Sequence, residues 1–499
     1  MNRKRSKWSF AIGCTGRDMC YTLVSLFLLT YIQYTNLVNT SQFLVLSVII
    51  VLCRIWDAVN DPMMGTIISN TKTKFGKYRP WVLIGAILNS IILVLMFSLR
   101  VDVKGNIDTL GWYNVAILGT LYLLYGMTYT ANDVSFWSLL PVLSESKEDR
   151  DNLTTMVAIF ASVGAFISGG IIPMVTPGNM IVAYRTAATI FAVIFLICQV
   201  MVFFLVHDNK ADKFIDPDFE KEEKEEALTL KGMLKILFRN KQLLVMALVV
   251  LLYSLGSAIL NAFGQNFFYF KFGYNGNQMF IFTVMYAVGT LVAQAFYPVL
   301  AKRFSRNQII KASIILLAIG YVAFFVIANL NINESVCFTL LSIFGVAIFL
   351  GQGIFYMVML IMLANTIEYD EWKTGERNDA VTFSVRPFMV KLASAIQYGV
   401  VALTLVLCGM YSITQEIGTI EQNISTGLIN KESAVMIITN MLNTVKPEQM
   451  LGLTFAMTII PIILFVIAYI VIKKKYIIDE AMYEKMIKEI ESRKSELHD

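Results

Sequence analysis

In Arg54-Ile55-Trp56-Asp57-Ala58-Val59-Asn60-Asp61-Pro62, the carboxylates Asp57 and Asp61 stand four residues apart, so a helix puts both on one face, a single turn apart. In a medium of low dielectric constant two such charges repel, and one keeps its proton unless a cation lies between them. A hard cation takes oxygen ligands, and the two carboxylates with the Asn60 amide supply them. Pro62 carries no N–H and so frees the Ala58 carbonyl, another oxygen donor. The chemistry expected is binding of a hard cation such as Na+, or of a proton. The alternative is a charge network in which Arg54 ties helices together.

Three further groups of charge fall inside apolar stretches, where an ionisable side chain needs a partner or a function. The first is Arg17-Asp18. A carboxylate accepts hydrogen bonds from sugar hydroxyls, and a neighbouring guanidinium both donates to them and keeps Asp18 ionised. A structural ion pair is the plainer reading. The second group is Thr130, Asn132, Asp133 and Trp137. Trp137 follows Asp133 by one turn, so an acceptor and an indole face share a surface suited to a pyranose, although a lone Trp more often packs or anchors at a membrane interface. The third is Lys391, with Arg386 nearer the end of its stretch. A lysine in mid-helix is neutral or paired, and Asp57 and Asp61 are the expected partners. A cation displacing it would couple ion occupancy to helix rearrangement.

These residues must be positioned by elements that lipid tolerates. The chain is 57% hydrophobic and 15% charged, against roughly 25% charged in soluble domains, and its mean hydropathy is +0.63. Apolar stretches run roughly over residues 9–36, 42–69, 80–99, 112–140, 153–176, 182–206, 242–270, 277–299, 308–329, 335–365, 380–411 and 450–473. Each is long enough to cross a bilayer as a helix, the only open-chain form whose backbone pairs within itself. The first follows Arg3, Lys4, Arg5 and Lys7, as a signal peptide would, but it is too long and holds Arg17 and Asp18. Lys72, Lys74, Lys77, Arg79, Lys302, Arg303, Arg306 and Lys473–Lys475 join the amino terminus on one side. The opposite turns are poor in Lys and Arg, except for Arg100 and Lys104, so both termini are predicted to be cytoplasmic. The fold class expected is an all-α membrane protein of twelve transmembrane helices in two six-helix halves. The halves are residues 1–206 and 242–473, joined by a charged cytoplasmic loop at 207–241, with a cytoplasmic tail at 474–499. In the tail, charges alternate with Ile477, Met482, Met486 and Ile490, which predicts a short amphipathic helix. Residues 412–449 fall outside, with no readable role. The six cysteines form no CxxC pair and are read as packing residues.

The runs RIWDAVNDPMMG (54–65), GKYRPW (76–81), NDVSFWSLLP (132–141) and EYDEWKTGERNDA (368–380) resemble the glycoside–pentoside–hexuronide:cation symporters, the melibiose permease-like group of the major facilitator superfamily. The resemblance runs through nearly all twelve stretches. It implies that Asp57, Asn60, Asp61 and Thr130 form the cation site, with Lys391 beside it, and that Asp18, Asp133 and Trp137 contact sugar. Arg17 stands where the resemblance implies a lysine, and Ala158 stands where it implies an arginine that contacts sugar. Loss of that arginine leaves a roomier pocket and favours a sugar or longer glycoside other than melibiose. The resemblance implies Na+, Li+ or H+ as the coupling cation, and Asn60 and Thr130, both oxygen donors, tilt that expectation toward Na+.

The function expected is secondary active symport of a sugar or glycoside with Na+ or H+ by alternating access. The turn Glu368-Tyr369-Asp370-Glu371-Trp372-Lys373, with Arg377, is expected to act as a cytoplasmic lock, or else to be an ordinary solvated loop. Partners are the sugar, the coupling cation and membrane lipid, with no nucleic acid, no cofactor or transition metal, and a monomeric chain. A cation-coupled transporter of a non-sugar solute is the alternative, favoured by Ala158 and the Met-rich stretch Met357–Met362. A solute sensor that has lost transport fits poorly with Asp57, Asp61 and Lys391. A membrane enzyme fits worse, since the only histidines, His207 and His498, lie at the edge of the stretches or beyond them, and no HExxH or nucleophile-elbow pattern occurs.

Overall fold

The computed structural model describes residues 3–103, 105–144, 147–206, 237–375 and 379–496, and among these the regular structure is helical. In chain order the helices are α1 (Arg3–Gln33), α2 (Thr40–Ser69), α3 (Arg79–Ser98), α4 (Ile107–Trp137), α5 (Leu139–Leu143), α6 (Lys147–Val175), α7 (Met180–Leu205) and α8 (Lys241–Phe272). They continue with α9 (Asn277–Ala301), α10 (Arg306–Asn329), α11 (Glu334–Thr374), α12 (Asp379–Leu407), α13 (Met410–Ser425), α14 (Lys431–Leu442), α15 (Pro447–Lys475) and α16 (Glu480–Glu496). Among the described residues, ten helices are long and apolar enough to cross a membrane. The long helices α1 and α4 are not among them. At 31 residues each they rise about 46 Å, more than the roughly 30 Å of a hydrocarbon core, so length does not disqualify them. Their composition does: α1 carries Arg17 and Asp18 within its apolar stretch, and α4 is interrupted by Asn114, by its tyrosines and threonines, and by Asn132 and Asp133.

The described chain divides into two compact units. The first holds the described part of Met1–Leu228 together with Gly273–Phe280 and Leu405–Thr444, and the second holds that of Thr229–Phe272, Ile281–Thr404 and Val445–Asp499. In the first unit α1 packs on α6 and α7, α3 on α4 and α7, and α2 on α4. Small residues allow the close approach that lipid cannot enforce by the hydrophobic effect. A Cβ on Gly16 would lie 2.7 Å from Phe195 Cα, so only glycine lets α1 meet α7 this closely. Buried amides tie the same helices together. Asn132 donates to the Val82 carbonyl at 2.8 Å, and Gln199 donates to the Gly13 carbonyl at 2.7 Å. Asn132 is therefore a packing residue between α4 and α3. Helix α2 opens with a capping box, Asn39 accepting from the Gln42 N–H at 2.9 Å, and runs unbroken through Pro62.

In the second unit α10 packs on α11, α8 on α15 and α10 on α15. Gln352 is its buried polar centre, accepting at its carbonyl from Tyr253 (3.0 Å) and donating to Tyr321 (2.9 Å). The amphipathic tail helix appears as α16, with Met486 and Ile490 buried, but at the approach to it Ile478 is buried and Ile477 is exposed.

Candidate functional site in the first unit

Two constellations lie side by side in the first unit, and α4 serves both. Asp57 and Asp61 on α2 face it. Thr130 Oγ1 donates to Asp61 Oδ1 at 3.1 Å. One turn earlier, Gly126 leaves room for the Asp57 carboxyl, whose Cγ would lie only 3.0 Å from a Cβ placed there. Asp57, Asn60 and Thr130 are buried, and Arg54 Nη1 stands 4.0 Å from Asp57 Oδ2. The Arg54 guanidinium also lies over the rings of Tyr21 and Tyr122, each at 5.6 Å, so aromatic faces hold it beside the carboxylate. The Asn60 amide is buried, and its Nδ2 has no hydrogen-bond partner among the described residues. A hydroxyl and a carboxylate oxygen thus meet at Thr130 and Asp61, with the Asp57 carboxyl against the same helix one turn earlier, and these are donors of the type a hard cation takes.

The second constellation is built on Arg17, which is 3% exposed. Its Nη1 donates to Asp133 Oδ1 at 2.8 Å, and its Nη2 reaches Asp18 Oδ2 at 3.4 Å and Cys14 Sγ at 3.2 Å. The guanidinium lies 4.6 Å from the Phe136 centroid and 5.1 Å from that of Trp137. Phe10 stacks on the far side of Phe136 at 4.3 Å, which fixes that ring. Arg17 is therefore a buried fork that holds Asp18 of α1 and Asp133 of α4. The two carboxylates remain accessible, with 23% and 31% of their side chains exposed, and Trp137 is 37% exposed beside them. Two accessible acceptors next to an aromatic face suit a polyhydroxylated ring.

The two sites share one stripe of α4. Gly126, Thr130, Asp133 and Trp137 follow one another at four, three and four residues, the spacing of a single helical face. From Thr130 to Asp133 the rise is about 4.5 Å. Ala158 is exposed on α6 and presents no donor from its side chain.

The other predicted residues belong to the second unit. Lys391 is half-buried on α12, one turn after Pro387, and Arg386 donates to the Tyr356 hydroxyl and lies over that ring. The stretch expected to be a turn or solvated loop is instead the helical end of α11 and is largely buried: Asp370 pairs with Arg239 at 3.2 Å, Glu371 is buried, and Lys373 lies over Tyr369 at 4.8 Å. Glu368 sits on the same helix, and Arg377 falls outside the described residues. Trp372, near the C-terminal end of α11, receives the tail. Its indole N–H donates to Glu489 at 2.6 Å, and its carbonyl accepts from Arg493 at 2.8 Å. The indole hydrogen bond holds the Glu489 carboxyl below its ordinary range.

Sequence reasoning missed Gly126, Cys14 and Phe136. Gly126 carried a usable signal, since it lies four residues before Thr130. Cys14, read as packing, donates to Asp18 Oδ2 at 3.0 Å.

The long apolar helices and the chain's family make this a multi-pass protein of the cell membrane, of the transporter class. The chain belongs to the MFS/sugar transport protein family, whose profile matches residues 9–480, the glycoside–pentoside–hexuronide group expected from the motifs. It is similar to the lactose permease of Lactobacillus delbrueckii subsp. bulgaricus, 26% identical over 99% of this chain and 73% of that protein. It is also similar to the raffinose carrier protein of Pediococcus pentosaceus, 28% identical over 80% of this chain and 62% of that one, and so spans less than two thirds of the carrier's length. Among solved structures, the inward-facing, unoccupied bacterial homolog of the human lysosomal transporter Spinster matches with a TM-score of 0.66. It is 13% identical over 94% of this chain and 96% of that one, a likeness of fold.

Proposed function

We propose that this chain takes up a sugar or glycoside together with Na+ or H+, by alternating access of two halves. The observation that carries the reading is the single stripe of α4, with Gly126 and Thr130 against Asp57 and Asp61 and with Asp133 and Trp137 in the Arg17 cluster. A cation between the α2 carboxylates and Thr130 draws α2 onto α4 at one level. About one turn away, the same helix sets the spacing of Asp133 from Asp18. Each ligand then favours the arrangement that the other binds, which is what symport requires. The similar lactose and raffinose carriers support a sugar as the solute.

In this reading all twelve long helices cross the membrane, with both termini on the basic, cytoplasmic side. The chain acts as a monomer. Lys391 is the charge that the cation displaces, and the helix end at Glu368, Asp370, Glu371 and Lys373 with Arg377 locks the cytoplasmic side. The oxygen donors Asn60 and Thr130 favour Na+ over H+.

The test is uptake of a panel of labelled glycosides, including lactose and raffinose, into cells or vesicles, with Na+ replaced by choline at two pH values. Uptake stimulated by Na+ supports Na+ symport, and stimulation by acid outside without Na+ supports H+ symport. If no glycoside, pentoside or uronide enters in response to either gradient, the proposal fails. Trp137→Ala is expected to weaken sugar binding and leave cation-dependent stabilisation intact.

A further inference from the structure

The segment Leu405–Thr444 joins α12 to α15, both of which lie mainly in the second unit, yet it packs within the first. The chain turns out of α12 at Gly409, whose φ of +67° favours glycine, and forms the hairpin of α13 and α14. Helix α13 presents one continuous face to the first unit. Tyr411 stacks on Phe43 at 4.1 Å, and its hydroxyl donates to the Val38 carbonyl at 2.9 Å. Gln415 donates to the same carbonyl at 2.8 Å, and Gln422 donates to Asp102 at 2.8 Å. Gly418 sits where a Cβ would meet the Asn36 backbone.

The firmest contact is Glu421, which is 1% exposed. Its Oε1 accepts from the Gly178 N–H and the Tyr274 hydroxyl, both at 2.7 Å, and its Oε2 accepts from the Met180 N–H at 2.9 Å. Gly178 and Met180 flank the turn between α6 and α7, where the first backbone N–H groups of α7 lack partners in their own helix. Tyr274 comes from Gly273–Phe280, the other stretch from beyond the central loop that packs in the first unit. One carboxylate therefore gathers three strands of chain, and charged acceptors with several donors make the stronger class of hydrogen bond.

We infer that the hairpin travels with the first unit through the transport cycle, pinned by Glu421, and not with the two helices it connects. Under the proposed alternating access, the relative motion is then taken up where the chain enters and leaves the hairpin, near Gly409 and residues 443–446. The contacts of α13 with the first unit stay closed in every state.

Asp102→Cys with Gln422→Cys, in a Cys408→Ser background, places one thiol on each side of that contact for a short thiol-to-thiol crosslinker. The pair is expected to crosslink to the same yield in Na+, in choline, and in Na+ with lactose. Crosslinked protein is expected to retain the lactose uptake of the uncrosslinked pair. A yield that falls in any one state, or uptake lost on crosslinking and restored by a cleavable linker, overturns the inference. Absence of lactose uptake before crosslinking counts against the lactose reading alone, and the yields still decide the hairpin. Glu421→Gln is expected to lower the yield, since an amide cannot accept at both positions. An unchanged yield in that variant removes Glu421 as the pin.

Discussion

Substituting alanine for Gly126 puts one methyl group where α4 meets the Asp57 carboxyl. An ideal Cβ there lies 3.0 Å from Asp57 Cγ and 3.2 Å from Oδ2, with Oδ1 nearer still. Ordinary carbon–carbon contact is about 3.5–4.0 Å, so the carboxyl must retreat by roughly 0.5–1 Å, or α2 and α4 must part. Overpacking of this kind costs about 1–3 kcal/mol. If that falls on the cation-bound arrangement, cation affinity drops about 5- to 150-fold, since about 1.4 kcal/mol is a factor of ten. The gain in helix propensity from Gly to Ala, up to about 1 kcal/mol, adds to fold stability without touching the site. The assay is thermal unfolding of the purified protein titrated with NaCl against choline chloride, paired with the Na+ dependence of glycoside uptake. Gly126→Ala is expected to raise the Na+ midpoint in both, while glycoside affinity at saturating Na+ stays near that of the unaltered chain. Gly65→Ala, on α2 with nothing within 4 Å of its ideal Cβ, is the control and is expected to leave the midpoint in place. An unmoved midpoint in Gly126→Ala, or sugar affinity that stays low when Na+ saturates, would refute the assignment of this contact to the cation site.

Other outcomes follow from the same geometry. Asp57→Cys and Asp61→Cys are each expected to abolish accumulation against a gradient while protein remains in the membrane; accumulation surviving in both removes the coupling site. Arg17→Lys keeps the charge but cannot fork to Asp133 and Asp18, so sugar affinity is expected to fall by about tenfold, on the scale of one lost charge-assisted bond, with the Na+ midpoint unchanged. Equal loss of both would show that Arg17 only supports the fold. Glu489 is held below its ordinary range by the Trp372 N–H, so its contribution to tail docking is present above the ordinary carboxylate value and is lost as pH falls through the lowered one. Limited proteolysis of α16 is expected to speed up across that acid window, and Glu489→Gln is expected to flatten the pH dependence.

Some of the site was legible because burial in lipid makes a charge conspicuous. Asp57 and Asp61 share a face at any helical geometry, and the same four-residue spacing links Asp133 to Trp137. Lys391 stands out by the same rule, but periodicity along α12 says nothing of what lies across from it. The tail was visible as an amphipathic pattern, yet its receptor was not. Trp372 looked like part of a charged turn, and only the docked α16 shows its N–H taken by Glu489. Cys14 looked like packing because a thiol is small and weakly polar, and its contact with Asp18 depends on one rotamer within one turn.

The sequence by itself determined that the chain is helical and built for lipid, and it marked the residues whose charge lipid does not tolerate, because both follow from solvation and from the period of a single helix. Only the tertiary structure decided who meets whom. Arg17 and Asp133 are 116 residues apart, Asp61 and Thr130 are 69 apart, and Gly178 and Glu421 are 243 apart. Such pairs arise from which helices pack and at what height, and a glycine without a side chain, such as Gly126, acquires its meaning only when another helix lies against it. For the same reason residues 412–449 read as an outer segment of no readable role, although contacts place Leu405–Thr444, which holds most of them, in the first unit. Connectivity is written along the chain, whereas the unit a segment joins is set by the surfaces it buries.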